Sequence, residues 1–163
     1  MPGAGKSTVG VILAKLTSRS FVDTDVLIQT SQGRTLQGIV DAEGYKVLRI
    51  IEEKVLLGLD VLNCVVATGG SAVYSDGAMT HLKSDGLVVF LDVDLPTLES
   101  RIRNFRTRGL AKREDQSFAE MFHERVTLYS KYADITIECS GLTHEEVCAL
   151  IIDRTSGKTQ LQD

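Results

Sequence analysis

The chain has 163 residues, the length of a single domain with a sizeable core. Its net charge of −4 excludes general attraction to nucleic acid or to an anionic membrane surface. No apolar run is long enough to span a bilayer and no secretory signal is read, so a cytoplasmic protein is expected. Cys64, Cys139 and Cys148 form no C-x-x-C pair and are expected to be buried thiols. His81, His123 and His144 are scattered, as surface residues rather than metal ligands would be.

The chain opens "MPGAGKSTVG", the second half of the phosphate-binding loop G-x-x-x-x-G-K-[ST]. Gly3, Ala4 and Gly5 let the backbone curl so that successive N–H groups face phosphate oxygens, and the helix that follows adds its N-terminal partial charge. Lys6 would reach the outer phosphates, the Ser7 hydroxyl would ligate Mg²⁺, and Thr8 completes the loop at the helix head. The alternative is a Gly-rich turn capping an ordinary helix, with Ser7 and Thr8 as helix-start residues. G-K-S-T ahead of Val9, Ile12, Leu13 and Leu16 at helical spacing favours the nucleotide site. The first glycine of the pattern would stand just before Met1, with its feeding strand before that. A strand preceding Met1 is therefore expected at the centre of the sheet, and without it poor folding is expected, because buried backbone groups would lack partners.

Along the chain, "SFVDTD" reads as a short strand ending in carboxylates and "VLIQTS" as the start of a helix, with a turn at Gly33. "TLQGIVDAEG" and "YKVLRIIEEKVLLGLD" read as two helical pieces. "NCVVAT" and "GLVVFLDVD" are nearly continuous apolar strands, the pattern of strands buried on both faces. Between them come the loop "GGSAVYSDG" and the helix "AMTHLKS". "LPTLESRIRNF" is a helix with Pro96 near its start. "RTRGLAKREDQ" is polar and basic, with Gly109 as a hinge candidate. "SFAEMFHERVTLYSKYA" is a helix, "DITIEC" a strand, and "THEEVCALIIDRT" a closing helix whose Thr143 and Glu146 are spaced as a capping box. Strands alternating with helices imply a parallel sheet with helices on both faces. Such sheets bind ligands beyond the carboxyl ends of their strands. The loop at Gly3–Ser7, the pair Asp23 and Asp25, and Gly69 and Gly70 all fall there.

In five ordered blocks, "PGAGKST", "FVDTD", "LRIIE", "ATGG" and "RVTLYSKYAD", the sequence resembles the shikimate kinase family, from Met1 to about Ile152. The resemblance implies a three-layer α/β phosphate-binding-loop kinase fold with a mobile lid at about 105–117, in one domain over 1–155 with a tail at 156–163. It implies magnesium-dependent transfer of the ATP γ-phosphate to the 3-hydroxyl of shikimate, in aromatic amino-acid biosynthesis, by a monomer without nucleic-acid or membrane partners.

On this likeness Asp23 assists Ser7 in holding hydrated Mg²⁺. Asp25 orients or deprotonates the acceptor hydroxyl, and helix capping is the alternative for the pair. Arg49 matches the arginine that takes the substrate carboxylate through a guanidinium fork. Glu52, three residues on, is expected to hold that arginine, with a surface ion pair as the alternative. Gly69 and Gly70 let a substrate ring approach the backbone. Arg125 matches a second substrate arginine, and Tyr129 is expected to pack. Arg108 matches the lid arginine over the transferring phosphate, or is plain solvated charge among Arg103, Arg106, Lys112 and Arg113. Arg101 matches the residue beside adenine.

The sequence departs from the family at four places. Ser71 replaces the third glycine in "GGS", the lid reads "RGLA", Tyr45 replaces an acid in "GYKVLR", and Thr127 stands where a proline is usual. The nucleotide half is better matched than the acceptor half. Two alternatives therefore stay open: a kinase for another small hydroxy acid or amino acid, such as homoserine or gluconate, and an inactive nucleotide-binding module.

Overall fold

The structure, a computed structural model, describes residues 1–102, 109–113 and 115–156. Its elements alternate as the sequence implies. Helix α1 (Lys6–Leu16) leads to strand β1 (Ser20–Asp23) and to α2 (Thr24–Gln32), α3 (Leu36–Glu43) and α4 (Tyr45–Leu57). Strand β2 (Cys64–Ala67) is followed by a 3₁₀ turn (Ala72–Tyr74) and α5 (Asp76–Ser84). Then come β3 (Val89–Asp92), α6 (Leu95–Arg101), α7 (Phe118–Tyr132), β4 (Ile135–Glu138) and α8 (His144–Ser156).

Local chemistry sets these boundaries. Strand β1 stops at Asp23 because its carboxylate caps α2, accepting the amides of Asp25 at 2.9 Å and Val26 at 3.4 Å. Thr24 and Asp25 thus belong to the helix rather than to the strand. Asp94 caps α6 through the Thr97 amide, with Pro96 in the first turn. Ser117 and Glu120 form a capping box at α7 that the sequence reading passed over. Thr143 and Glu146 form the expected one before α8. The expected "GGSAVYSDG" loop contains the 3₁₀ turn and the start of α5.

All strand pairing among the described residues is parallel. β1 pairs with β2 (Ser20 opposite Cys64, Asp23 opposite Ala67), and β3 pairs with β4 (Val89 opposite Ile135, Asp92 opposite Glu138). Among the described residues these are two separate two-stranded sheets. The apolar β2 is accordingly less covered than expected: Cys64, Val65 and Val66 are half-buried, and only Ala67 is fully buried.

One core cluster joins Val9 of α1, Leu91 of β3, Ile135 and Ile137 of β4, and Val147, Cys148 and Ile151 of α8. Successive strand residues face opposite ways, and Phe90 meets Tyr129 of α7 with ring centroids 5.1 Å apart. A second cluster sits under α4, α5 and the 3₁₀ turn. A third joins Ile28, Ile39 and Leu48 with Ala111. Helix α1 packs on both β1 and β2 and also on α8. Cys139 and Cys148 are buried free thiols, whereas Cys64 is only half-buried. No helix among the described residues is long and apolar enough to cross a membrane.

Candidate active site

Gly3 and Gly5 hold φ of 80° and 85°, a left-handed backbone that glycine adopts without strain. Their turn delivers the head of α1, with Gly5 as the residue just before the helix. Ala4 is buried beneath it, and its amide donates to the Met1 carbonyl. Lys6 curls back over the loop, and its ammonium donates to the Met1 carbonyl at 2.8 Å. Burial pushes the Lys6 ammonium below its ordinary pKa, opposed first by the carboxylate of Asp25. Thr8 lies with Lys6 and Ser7 on the wall of a cavity of about 450 Å³. The Ser7 hydroxyl donates to Asp23 Oδ2 at 2.5 Å. Asp23 thus uses one oxygen for the cap of α2 and the other for Ser7, so capping and site chemistry share one side chain.

The opposite wall of the cavity is formed by Asp25, Glu52, Gly70, Ser71 and Arg125. Asp25, in the first turn of α2, has its carboxyl pKa raised by burial, with Lys6 acting against that. Gly69 earns its place by having no side chain: a Cβ there would overlap Glu52 Oε1 and lie 2.7 Å from Asp25 Oδ1. Its amide donates to the buried Thr24 Oγ1 at 3.0 Å, so Gly69 supplies room to the pocket and not a free donor. Gly70 touches Arg125, whose Nη1 would lie 2.9 Å from a Cβ at that position. The Gly70 carbonyl accepts the Tyr129 hydroxyl at 2.6 Å, so Tyr129 braces this loop as well as packing.

The expected Glu52–Arg49 pair does not form. Glu52 is 3% exposed and accepts a hydrogen bond from the Ser71 hydroxyl instead, while its Oε1 has no partner. Burial raises its carboxyl to about 7. Helical spacing placed Glu52 near Arg49, but the loop after β2 brought a closer donor. Arg49 lies over the ring of Tyr74, its Cζ 3.5 Å from the centroid. Arg49 Nη2 and Arg125 Nη2 both donate to the Ala111 carbonyl, at 3.0 and 2.9 Å. The Nε of each is buried without a partner.

Gly109, with φ of 58°, docks on α3, where its amide donates to Gln37 Oε1 at 2.8 Å. Arg108 lies outside the described residues, as does part of the expected lid segment 105–117. Arg101, at the end of α6, lines both the main cavity and a second one of about 420 Å³ bounded by Gly3, Gly5 and Leu142–Glu145. His144 belongs to that second wall, where its Nε2 would stand 3.2 Å from a Cβ at Gly5.

Sequence reasoning missed the Ser71 hydroxyl as a partner of Glu52, the ring of Tyr74, the carbonyl of Ala111 and the place of His144. Only Ser71 left a trace, as a departure within "GGS".

The arrangement joins a phosphate cradle, a hydroxyl–carboxylate pair of hard oxygens, and a pocket lined by Asp25, Glu52 and Arg125, with Arg49 bonded to the Ala111 carbonyl at its edge. The chain as a whole is similar to known proteins. The shikimate kinase family profile matches residues 2–156. Shikimate kinase 2 of Enterobacter sp. (strain 638) is 32% identical over 92% of this chain and 88% of its own length. The shikimate kinase of Rippkaea orientalis is 38% identical over 94% of this chain and 83% of its own. The solved shikimate kinase of Acinetobacter baumannii in complex with shikimate superposes with a TM-score of 0.86 at 30% identity, covering 96% of this chain and 89% of that one. That of Aquifex aeolicus gives 0.83 at 32% identity, covering 96% and 93%. The chain has the phosphate-binding-loop kinase fold of these enzymes and belongs to the shikimate kinase family.

Proposed function

We propose that the chain transfers the γ-phosphate of ATP to the 3-hydroxyl of shikimate. The observation that carries this reading is the pair of arginines held at the Ala111 carbonyl, on the cavity that the phosphate loop also lines. Arg49 and Arg125 converge on one carbonyl oxygen and keep buried Nε–H groups without partners. A carboxylate satisfies such donors, because two parallel N–H bonds match its two oxygens.

In this mechanism Gly3, Ala4, Gly5 and Thr8 hold the phosphates, and Arg101 lies against the purine in the second cavity. Lys6 follows the charge that grows on the transferring group. The donor set of Ser7 Oγ and Asp23 Oδ2 is hard oxygen throughout, which fits a magnesium ion that keeps most of its waters. Such an ion neutralises phosphate charge when bound. Asp25 accepts a hydrogen bond from the acceptor hydroxyl and takes its proton, a role that its raised pKa suits. Gly69 and Gly70 admit the acceptor ring, and Arg49 and Arg125 clamp its carboxylate.

The test is acceptor-dependent ADP release across shikimate, homoserine and gluconate. Shikimate is expected to be the preferred acceptor. Arg49→Lys is expected to raise the acceptor KM while leaving that of ATP unchanged, because lysine cannot reproduce the fork. Faster turnover of homoserine or gluconate would overturn the assignment.

A further inference from the structure

Arg49 and Arg125 bring two positive charges together at the Ala111 carbonyl, a neutral atom of a residue that lines the pocket beside Arg125. Among the described residues neither stands within ion-pair distance of a carboxylate. Glu52, the buried acid nearby, is held by Ser71. What lies against the two guanidiniums is aromatic. The Tyr74 ring is 3.5 Å from Arg49 Cζ and 5.4 Å from Arg125 Cζ, and Tyr45 reaches Arg49 at 5.1 Å.

A ring face attracts a cation through its quadrupole and adds no negative charge. A guanidinium lying on such a face keeps the N–H groups around its edge, where a carboxylate meets them. A carboxylate partner would occupy those same donors. The Tyr74 ring is itself fixed in place. Its hydroxyl donates to Glu124 Oε1 at 2.6 Å, and Glu124 Oε2 accepts Gln116 Nε2 at 2.7 Å. Burial, followed by the contact with Glu124, raises the pKa of the phenol, so the ring stays neutral.

We propose that Tyr74 is a positioning residue for acceptor recognition: its face holds Arg49 flat and offsets the repulsion between Arg49 and Arg125, so that both forks stay aimed at the acceptor carboxylate. The inference rests on reading these arginines as the carboxylate clamp. It gives a role to a side chain that does not itself line the cavity.

The experiment measures kcat and both KM values for Tyr74→Leu, Tyr74→Phe and Arg49→Lys, with shikimate and ATP. Tyr74→Leu is expected to raise the shikimate KM about fivefold, with the ATP KM unchanged and kcat little altered. Tyr74→Phe, which keeps the face and loses the hydroxyl's contacts with Glu124 and Arg125, is expected to recover most of that loss. Tyr74→Met replaces the leucine variant should the latter not fold. An unchanged shikimate KM in the aliphatic variant overturns the proposal, as does a phenylalanine variant no better than leucine. So does an equal rise in both KM values. If Arg49→Lys raises the shikimate KM and Tyr74→Leu does not, the aromatic role alone fails. If Arg49→Lys leaves it unchanged, the carboxylate clamp fails and the Tyr74 proposal with it.

Discussion

Replacing Glu52 with glutamine removes a charge from the pocket wall while keeping its shape. The side chain is 3% exposed, accepts the Ser71 hydroxyl through one oxygen and leaves the other without a partner. Burial raises its carboxyl from the ordinary 4.5 to about 7. The unfolded chain releases this proton near 4.5 and the folded chain near 7, so between those values the folded state binds more protons. Stability therefore falls as pH rises through that window and loses nothing further from this group above it. At about 1.4 kcal/mol per pH unit, the full cost is about 3 kcal/mol. Glutamine is neutral throughout and accepts the Ser71 hydroxyl through its amide oxygen. Glu52→Gln should thus be more stable than the parent by about 3 kcal/mol at pH 8, by about 2 kcal/mol at pH 6, and by almost nothing at pH 4. Urea unfolding of both proteins at these three values supplies the differences. A gap that is the same at pH 4 and pH 8 would refute the reasoning, because it would show that Glu52 does not titrate differently in the folded state.

Lys6→Ala should reduce phosphoryl transfer on the order of 10²-fold or more with the fold intact, and turnover near the parent rate in a folded variant would remove Lys6 from the mechanism. Gly69→Ala drives a methyl group against Glu52 and Asp25. It should cost about 1–3 kcal/mol by overpacking and should weaken shikimate binding more than ATP binding, as read by thermal melting and isothermal titration.

The phosphate loop, the Asp23–Asp25 pair and the glycines after β2 were legible in the sequence because each depends on a short stretch of chain. A left-handed glycine turn, a capping carboxylate and a bare backbone carry their signatures within a few residues. Arg125 was legible from its block in α7. The partner of Glu52 was not. Three-residue spacing on α4 puts Arg49 and Glu52 close, but it cannot weigh that pairing against Ser71, which arrives from another element. Tyr74 left no pattern, since its contact with Arg49 depends on how the 3₁₀ turn sits against α4. The Ala111 carbonyl left none either, because every residue has one. The burial of β2 was over-read: four apolar residues record what a strand can bury, and its neighbours decide how much it does.

Helix α1 has a consequence for how the molecule holds together. The two strand pairs share no hydrogen bonds among the described residues, yet α1 packs on β1 and β2 at one side while Val9 joins the cluster of β3, β4 and α8. Among the described residues the helix thus touches both strand pairs, and the loop at Gly3–Gly5 leads directly into its first turn. A nucleotide held at that loop would meet a helix that both pairs contact. Ligand at a hundred times its Kd adds about 2.7 kcal/mol to a folded state. That increment would accrue to the folded state as a whole, and because α1 touches both strand pairs, loosening either pair would weaken the grip on the nucleotide.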